Sequence, residues 1–191
     1  MSAQPIATGR SASGIPTGRL ATWWVIASEI VIFGGLLGSY IMFRLLHDAW
    51  SIEAAHTNVI AGSINTFILL TSSLSIVLAH RACTLKQYDR AYKFLWGTVL
   101  GGCCFLVVKS LEWTKEIEHG FTITRSLFWS FYYTAAGLHA LHVIAGIVIM
   151  IILSFDLKKG KNAHRIELIG NYWHFVDIVW IFLFPLLYIA K

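Results

Sequence analysis

The fold is decided by one stretch of sequence, Asn171-Tyr-Trp-His-Phe-Val-Asp-Ile-Val-Trp-Ile-Phe-Leu-Phe-Pro-Leu-Leu-Tyr188. It is long and apolar enough to cross a lipid bilayer as a helix, which takes about 20 residues. It nevertheless carries His174 and Asp177, one helical turn apart. An ionisable side chain at the bilayer centre costs roughly 3 kcal/mol or more, so such residues usually face other protein groups. The stretch therefore predicts one helix of a membrane bundle with polar side chains in its interior.

The composition of the whole chain agrees with a membrane protein. Of its 191 residues, 57% are hydrophobic and 13% are charged, whereas soluble domains carry about 25% charged residues. The apolar runs are continuous, which excludes a β-barrel of alternating segments. The net charge of +5 falls mainly in loops on one side of the predicted bundle, so it does not indicate a nucleic-acid partner. We therefore predict an all-α, polytopic membrane bundle.

Five transmembrane helices are predicted, at about residues 20–46, 57–80, 91–112, 126–154 and 168–190, in one domain of residues 20–191. Residues 1–19 are rich in Ser, Gly, Ala and Thr, which predicts a disordered tail. Ten of the 15 Lys and Arg residues lie in the tail and in the second and fourth loops. Because basic loops stay inside, the N-terminus is predicted to be cytoplasmic and the C-terminus outside.

Small and hydroxyl residues predict where the helices approach one another. The pairs Gly34/Gly38 and Gly97/Gly101 form GxxxG steps, at which two helix backbones can come close. The second predicted helix is the most polar, and its hydroxyl side chains are interpreted as interhelical hydrogen-bonding groups. These are Ser63, Thr66, Thr71, Ser72, Ser73 and Ser75, with Asn65 among them.

Two histidines of the fourth predicted helix, His139 and His142, share a face because they are three residues apart. With His174 and Asp177 of the fifth helix they could ligate a metal or a haem iron. The alternative is that all four residues are hydrogen-bonding groups that hold the two helices together. Cys83, Cys103 and Cys104 lack metal-binding spacing, and we interpret them as buried small hydrophobes.

Glu29 is the most isolated carboxyl of the sequence. It lies about three turns into the first predicted helix, with no Lys or Arg nearby on that helix. Desolvation favours the neutral form of such a group. Proton handling or lipid binding is therefore one hypothesis for Glu29, and a purely structural role inside the bundle is the other. Glu112 and Lys109 lie at the far end of the third helix, where long side chains can reach water. Glu112 is expected to be solvated or paired with Lys109 or Lys115.

In these residues the chain resembles subunit III of the haem–copper terminal oxidases, and it is most similar to the cytochrome c oxidase branch. The final motif, Tyr172-Trp-His-Phe-Val-Asp-Ile-Val-Trp180, is long and specific. The shorter matches follow in family order and leave little of the chain after Thr22 uncovered. They are Ser28–Val31, Asn65-Thr66, Ala79-His80, Glu112, Phe121–Ile123, Gly137–Val143 and Glu167.

The resemblance implies an accessory, non-catalytic subunit of a respiratory oxidase that oxidises cytochrome c, reduces oxygen to water and pumps protons. It implies direct packing on subunit I, with subunit II and a small subunit IV as further partners. It also implies that haem and copper lie in partner subunits, so this chain has no catalytic or metal residues of its own. Longer relatives have two additional N-terminal helices, so this chain resembles the short five-helix prokaryotic form, a multi-pass protein of the cell (inner) membrane.

The same resemblance assigns the candidate site residues. Glu29 matches the family's carbodiimide-reactive carboxyl, which suggests support of proton uptake, and structural phospholipid is expected. Asp156 stands where longer relatives carry a lipid-binding Arg, so either the nearby Lys158 and Lys159 substitute for it or the lipid site differs. The residues for proton uptake or lipid binding are Glu29, His80, Lys158 and Lys159. The interhelical polar residues are Asn65, Glu112, His139, His142, Glu167, His174 and Asp177.

Three alternatives to the cytochrome c branch remain. Quinol oxidase relatives tend to have Asp in place of Glu29 and Phe in place of Tyr172, so both residues favour cytochrome c as the donor. An accessory protein of nitric oxide reductase is a second relative. A free-standing proton-coupled transporter would account for Glu29 and the histidines, but the sequence has no internal repeat of the kind that such transporters contain.

Overall fold

The structure is a computed structural model that describes residues 16–47, 50–158 and 162–190. Five helices are long and apolar enough to cross a membrane. The helices are α1 (Thr17–Leu46), the short α2 (Trp50–Ala54), α3 (Val59–Thr84), α4 (Tyr88–Glu118), α5 (Leu127–Lys158) and α6 (Arg165–Phe184), followed by a π-helical turn at Pro185–Ile189. The predicted all-α, five-helix membrane bundle is confirmed.

The helices form a bundle around a core of aromatic side chains. Helix α4 packs against α3 and α5, and α6 packs against α1, α3 and α5. Helix α1 is the least enclosed, and its buried side chains Ile26, Phe33 and Tyr40 recur every seven residues on one face. The largest fully buried side chains of the core include Trp129, Trp173, Trp180, Tyr132 and Tyr188. Apolar side chains cover much of the remaining surface, as expected of a protein that faces lipid.

The helices extend beyond the spans predicted from apolar runs. Helix α4 continues to Glu118 and α5 to Lys158, past the predicted ends at residues 112 and 154. Continuing the helix satisfies the backbone donors and acceptors that would otherwise be left near the membrane. The sequence did not predict α2. Pro185 has no N–H to donate, and the helix continues there as a π-helical turn closed by the Ala190 N–H to the Pro185 carbonyl at 2.8 Å.

Four of the hydroxyl side chains of α3 bond to other helices, as predicted. Thr66 Oγ1 accepts from Trp180 Nε1 at 3.0 Å, and Ser72 Oγ accepts from Trp173 Nε1 at 3.0 Å. Ser73 Oγ lies 2.7 Å from His174 Nδ1, and Ser75 Oγ donates to the Phe94 carbonyl at 2.7 Å. The two others, Ser63 and Thr71, instead donate to carbonyls of their own helix.

Of the two GxxxG steps, the structure uses one for close helix packing. A Cβ atom added to Gly101 would lie 2.7 Å from Ser72 Cβ, and one added to Gly97 would lie 2.8 Å from Ser75 Oγ. Here α4 approaches α3 closely because a hydrogen replaces the side chain. At Gly34 and Gly38 an added Cβ would meet nothing within 4 Å. Among the described residues no other helix packs closely at these two positions, so close packing there stays a prediction.

This difference predicts the stability of two matched variants. We expect Gly101→Leu to lower the free energy of unfolding by roughly 1–3 kcal/mol, because the new side chain pushes α3 and α4 apart. Gly38→Leu is the control, since its side chain would project into open space. Unfolding of the full chain in mixed micelles measures both. Equal stability of the two variants would contradict the close α3–α4 contact.

The structure does not test two parts of the sequence prediction. Orientation is still a prediction from the distribution of basic residues. Residues 1–15 of the predicted tail and Lys159 of the predicted lipid-binding residues lie outside the described residues.

The two ends of the bundle are named by their charged residues. The basic end is the one at which α1 begins and α5 ends. The opposite end, which carries Glu53, Glu112, Glu116 and Glu118, is the acidic end.

Candidate functional site

The central feature of the site is a pair formed by Glu29 of α1 and His142 of α5. Glu29 Oε2 lies 3.0 Å from His142 Nε2, and the side chains are 17% and 16% exposed. Both residues lie near the middle of their helices. Phe33, one turn beyond Glu29, packs edge-on against the imidazole with ring centroids 5.3 Å apart. The carboxyl that lacked a basic neighbour on its own helix therefore finds one on α5.

The second imidazole nitrogen indicates the tautomer of a neutral His142. His142 Nδ1 lies 2.8 Å from the Leu138 carbonyl oxygen. A carbonyl oxygen only accepts hydrogen bonds, so Nδ1 carries a hydrogen. A neutral imidazole then has no hydrogen on Nε2. Glu29 Oε2 has no aligned hydrogen-bond donor among the described residues, so the 3.0 Å approach is a close contact between two proton-binding groups in the membrane-spanning region.

Tyr172 of α6 connects this pair to an apolar crevice. Its hydroxyl donates to the His142 carbonyl oxygen at 3.2 Å, and its side chain also lines the crevice. The crevice has a volume of about 580 Å³ and lies between α1, α5 and α6, toward the basic end. Val25, Ile152 and Leu168 are among its apolar walls, and Arg165 lies at its charged end.

The other predicted interhelical residues lie in separate places. His139 is fully buried between Phe105 and Trp180, with ring centroid distances of 5.4 and 5.1 Å. His174 faces Ser73 of α3 rather than α5. Asn65 and Asp177 are also buried, at 0% and 4% exposure. The structure thus brings together Glu29 and His142, whereas His139, His142 and His174 point to three different neighbours.

Glu112 belongs to a second polar cluster at the acidic end. Its Oε2 lies 3.2 Å from Lys109 Nζ, and both side chains are almost fully buried. The expectation that Lys109 reaches water is wrong, because Tyr132 of α5 and Tyr188 of the π-helical turn accept its other hydrogens inside the bundle. Sequence reasoning missed the two tyrosines and Glu116. The spacing of Lys109, Glu112 and Glu116 on one helical face was the available signal.

The remaining predicted residues lie at the basic end. His80 is exposed near the end of α3, and Lys158 is exposed at the end of α5, with its Nζ 5.8 Å from the centroid of the Tyr92 ring. Glu167 forms an ion pair with Arg19 at 3.1 Å, joining α6 to the start of α1. None of the described residues predicted for lipid binding lines the apolar crevice, where Arg165 is the basic residue.

The fold and the site define a multi-pass helical membrane protein with a carboxyl–histidine pair in its membrane-spanning region and a second buried polar cluster at one end. Residues 19–191 match the family model of cytochrome c oxidase subunit III. The chain therefore belongs to the cytochrome c oxidase subunit III family, whose members are parts of an oxidase complex.

Individual relatives agree with this assignment. Cytochrome c oxidase subunit 3 of Corynebacterium diphtheriae is 32% identical over 173 residues, which cover 87% of this chain and 84% of that protein. The corresponding protein of Thermostichus vulcanus is 32% identical over 169 residues, covering 86% and 83%. Heme-copper oxidase subunit I+III of Aeropyrum pernix is 34% identical over 183 residues, which cover 90% of this chain but 22% of that longer protein.

Proposed function

We propose that this chain is a non-catalytic subunit III of a prokaryotic cytochrome c oxidase, and that it supports proton uptake and binds phospholipid. The match of residues 19–191 to the subunit III family carries the proposal. The Glu29–His142 pair supports the proton-uptake part of the proposal, because a carboxyl and an imidazole lie 3.0 Å apart in the membrane-spanning region. Haem and copper belong to partner subunits in this proposal, so oxygen reduction takes place outside this chain.

Direct packing on subunit I is part of the proposal. The Aeropyrum pernix relative is named as a fused subunit I+III, and fusion into one chain is compatible with two units that lie side by side. Helix α1 offers a surface for such a contact, because Gly34 and Gly38 face open space and most of its apolar side chains are exposed. Subunit II, a small subunit IV and cytochrome c as electron donor complete the proposed assembly.

Purification from native membranes tests the proposal. An affinity-tagged full chain should be isolated together with a haem-containing subunit, and the preparation should oxidise reduced cytochrome c with consumption of oxygen. If the preparation oxidises a quinol instead of cytochrome c, the chain belongs to the quinol oxidase branch. Isolation without any haem protein, under conditions that keep other membrane complexes intact, would overturn the proposal and favour a free-standing transporter.

The apolar crevice supports the lipid-binding part of the proposal. Its walls match the acyl chains of a phospholipid, and its charged end matches an anionic head group. Arg165 lies at that end, close in sequence to Glu167, which pairs with Arg19. A lipid bound there would contact Tyr172, whose hydroxyl bonds the backbone of His142. A lipid in the crevice would therefore contact a side chain that also bonds the backbone of His142.

We expect Arg165→Gln to reduce the phospholipid that copurifies with the complex, because the head group loses its cationic partner. Mass spectrometry of extracted lipids measures the amount per complex. Arg90→Gln is the control, since Arg90 is exposed at the same end and contacts Gln87 rather than the crevice. Equal lipid retention by both variants and the unaltered protein would contradict a head-group role for Arg165.

A further inference from the structure

The cluster at the acidic end consists of Lys109, Glu112 and Glu116 of α4, Tyr132 of α5 and Tyr188 of the π-helical turn. Glu116 is 6% exposed, and its Oε2 has no hydrogen-bond partner among the described residues. Burying a carboxylate oxygen without a hydrogen-bond donor costs free energy, and no other contact of the cluster offsets that cost. When both glutamates are ionised, the cluster therefore lacks a hydrogen-bond donor for one buried carboxylate oxygen.

The ammonium hydrogens of Lys109 are all donated to groups other than Glu116. Its Nζ contacts Glu112 Oε2 at 3.2 Å, Tyr132 Oη at 2.8 Å and Tyr188 Oη. An ammonium group has three hydrogens, so these contacts use all of them. None is left for Glu116, whose hydrogen-bond contact among the described residues is with Tyr132 Oη.

Tyr132 cannot serve both carboxylates. Its hydroxyl oxygen lies 2.9 Å from Glu112 Oε1 and 3.0 Å from Glu116 Oε1. A tyrosine hydroxyl has one hydrogen, so it donates to one of these oxygens and faces the other with lone pairs. Tyr188 Oη, 3.1 Å from Tyr132 Oη, competes for the same lone pairs. A proton on one carboxyl group supplies the hydrogen for the second short oxygen–oxygen contact.

The charge balance leads to the same conclusion independently. Lys109 contributes one positive charge, whereas Glu112 and Glu116 would contribute two negative charges. Buried charges are stable when they are paired, and one additional proton makes the cluster neutral. Because Glu112 holds the ion pair with Lys109, the proton belongs on Glu116.

A cavity connects Glu116 with the surface. It has a volume of about 310 Å³, and the buried residues Glu112 and Glu116 line it together with exposed residues of α4 and of the segment before α3. The exposed lining residues are His56, Asn58, Lys115 and His119. Water in this cavity can carry a proton between the surface and Glu116.

We propose that Glu116 is a proton-binding site, at which Glu112, Lys109 and Tyr132 hold one exchangeable proton that reaches the aqueous phase at the acidic end through the cavity. The site is separate from the Glu29–His142 pair, and the proposal does not depend on the function proposed above. Other titratable groups face the cluster or its cavity from α4, α5 and the adjoining segments. They are Lys115, His119, His56 and Tyr133.

Infrared spectroscopy of the full chain in lipid nanodiscs tests the proposal, because a protonated carboxyl has a carbonyl band that an ionised one lacks. Near neutral pH, the difference between the unaltered protein and Glu116→Gln should show the loss of one such band. The band should shift in D2O, since the cavity admits water. Glu118→Gln, two residues further along α4 at an exposed position, is the control and should keep the band.

A second variant distinguishes a shared proton from simple burial. Glu112→Gln removes one negative charge and lets Tyr132 donate to Glu116, so the carbonyl band should also disappear. If the band persists in Glu112→Gln, or if Glu116→Gln leaves the spectrum unchanged, the proposal is overturned. Loss of the band in the unaltered protein on adding KCl or NaCl at constant pH would also overturn it, by showing that the site takes an alkali cation. Circular dichroism establishes that each variant is folded.

Discussion

We expect Lys109→Met to lower the free energy of unfolding by about 3–5 kcal/mol, the usual cost of removing one partner of a buried ion pair. Lys109 is 2% exposed and donates to Glu112 and to two tyrosines. Methionine has a similar length and fills the same space, so the effect reports the loss of charge and hydrogen bonds. Denaturation of the full chain in mixed micelles, followed by tryptophan fluorescence, measures the change.

The matched control is Lys115→Met, six residues along the same helix. Lys115 is exposed at the acidic end, and surface substitutions usually change stability by less than about 0.5 kcal/mol. Similar stability of the two variants would mean that Lys109 is not a structural ion-pair partner. It would also contradict the burial of the cluster, because an accessible ammonium group is replaced at little cost.

The second large effect concerns Glu29. We expect Glu29→Gln to abolish labelling by a hydrophobic carbodiimide, because the reagent partitions into the membrane and reacts with a protonated carboxyl. The amide of the new side chain can donate to His142 Nε2, so the contact and the assembly of the complex are retained. What is lost is the proton that the pair can exchange.

The functional consequence should develop during turnover. The initial rate of oxygen consumption should stay close to that of the unaltered complex, because the proposed haem and copper chemistry lies in partner subunits. Activity should then decay faster as turnover continues, since proton supply is no longer sustained. Glu167→Gln is the control, as that carboxyl forms a partly exposed ion pair at the basic end. Unchanged decay together with labelling at another residue would leave Glu29 with a packing role alone.

An immediate loss of oxygen reduction in Glu29→Gln, with haem content intact, would mean that this chain takes part directly in the catalytic step.

A related measurement addresses His142. His142→Ala should leave the haem and copper content of the complex unchanged, although it can weaken the α1–α5 contact. Loss of a haem absorbance band with full retention of the subunit would contradict the assignment of the redox groups to partners.

The sequence alone determined the number of membrane-spanning helices, because the cost of unpaired backbone groups in lipid leaves few alternatives for long apolar runs. It also indicated the family, through the specific motif Tyr172–Trp180, and it identified Glu29 and His142 as individually unusual residues. The expected depth of Glu29 in the membrane followed from the rise per residue of a helix. Each of these conclusions depends on local spacing or composition.

Only the tertiary structure decided which residues meet. Glu29 and His142 are 113 positions apart in the numbering of the chain, and their contact depends on how α1 lies against α5. In the same way, Gly97 and Gly101 are used for close packing while Gly34 and Gly38 face open space. Lys109 is buried because Tyr132 and Tyr188 arrive from two other segments. Helical spacing defines a face, but the rotation and approach of neighbouring helices determine what that face contacts.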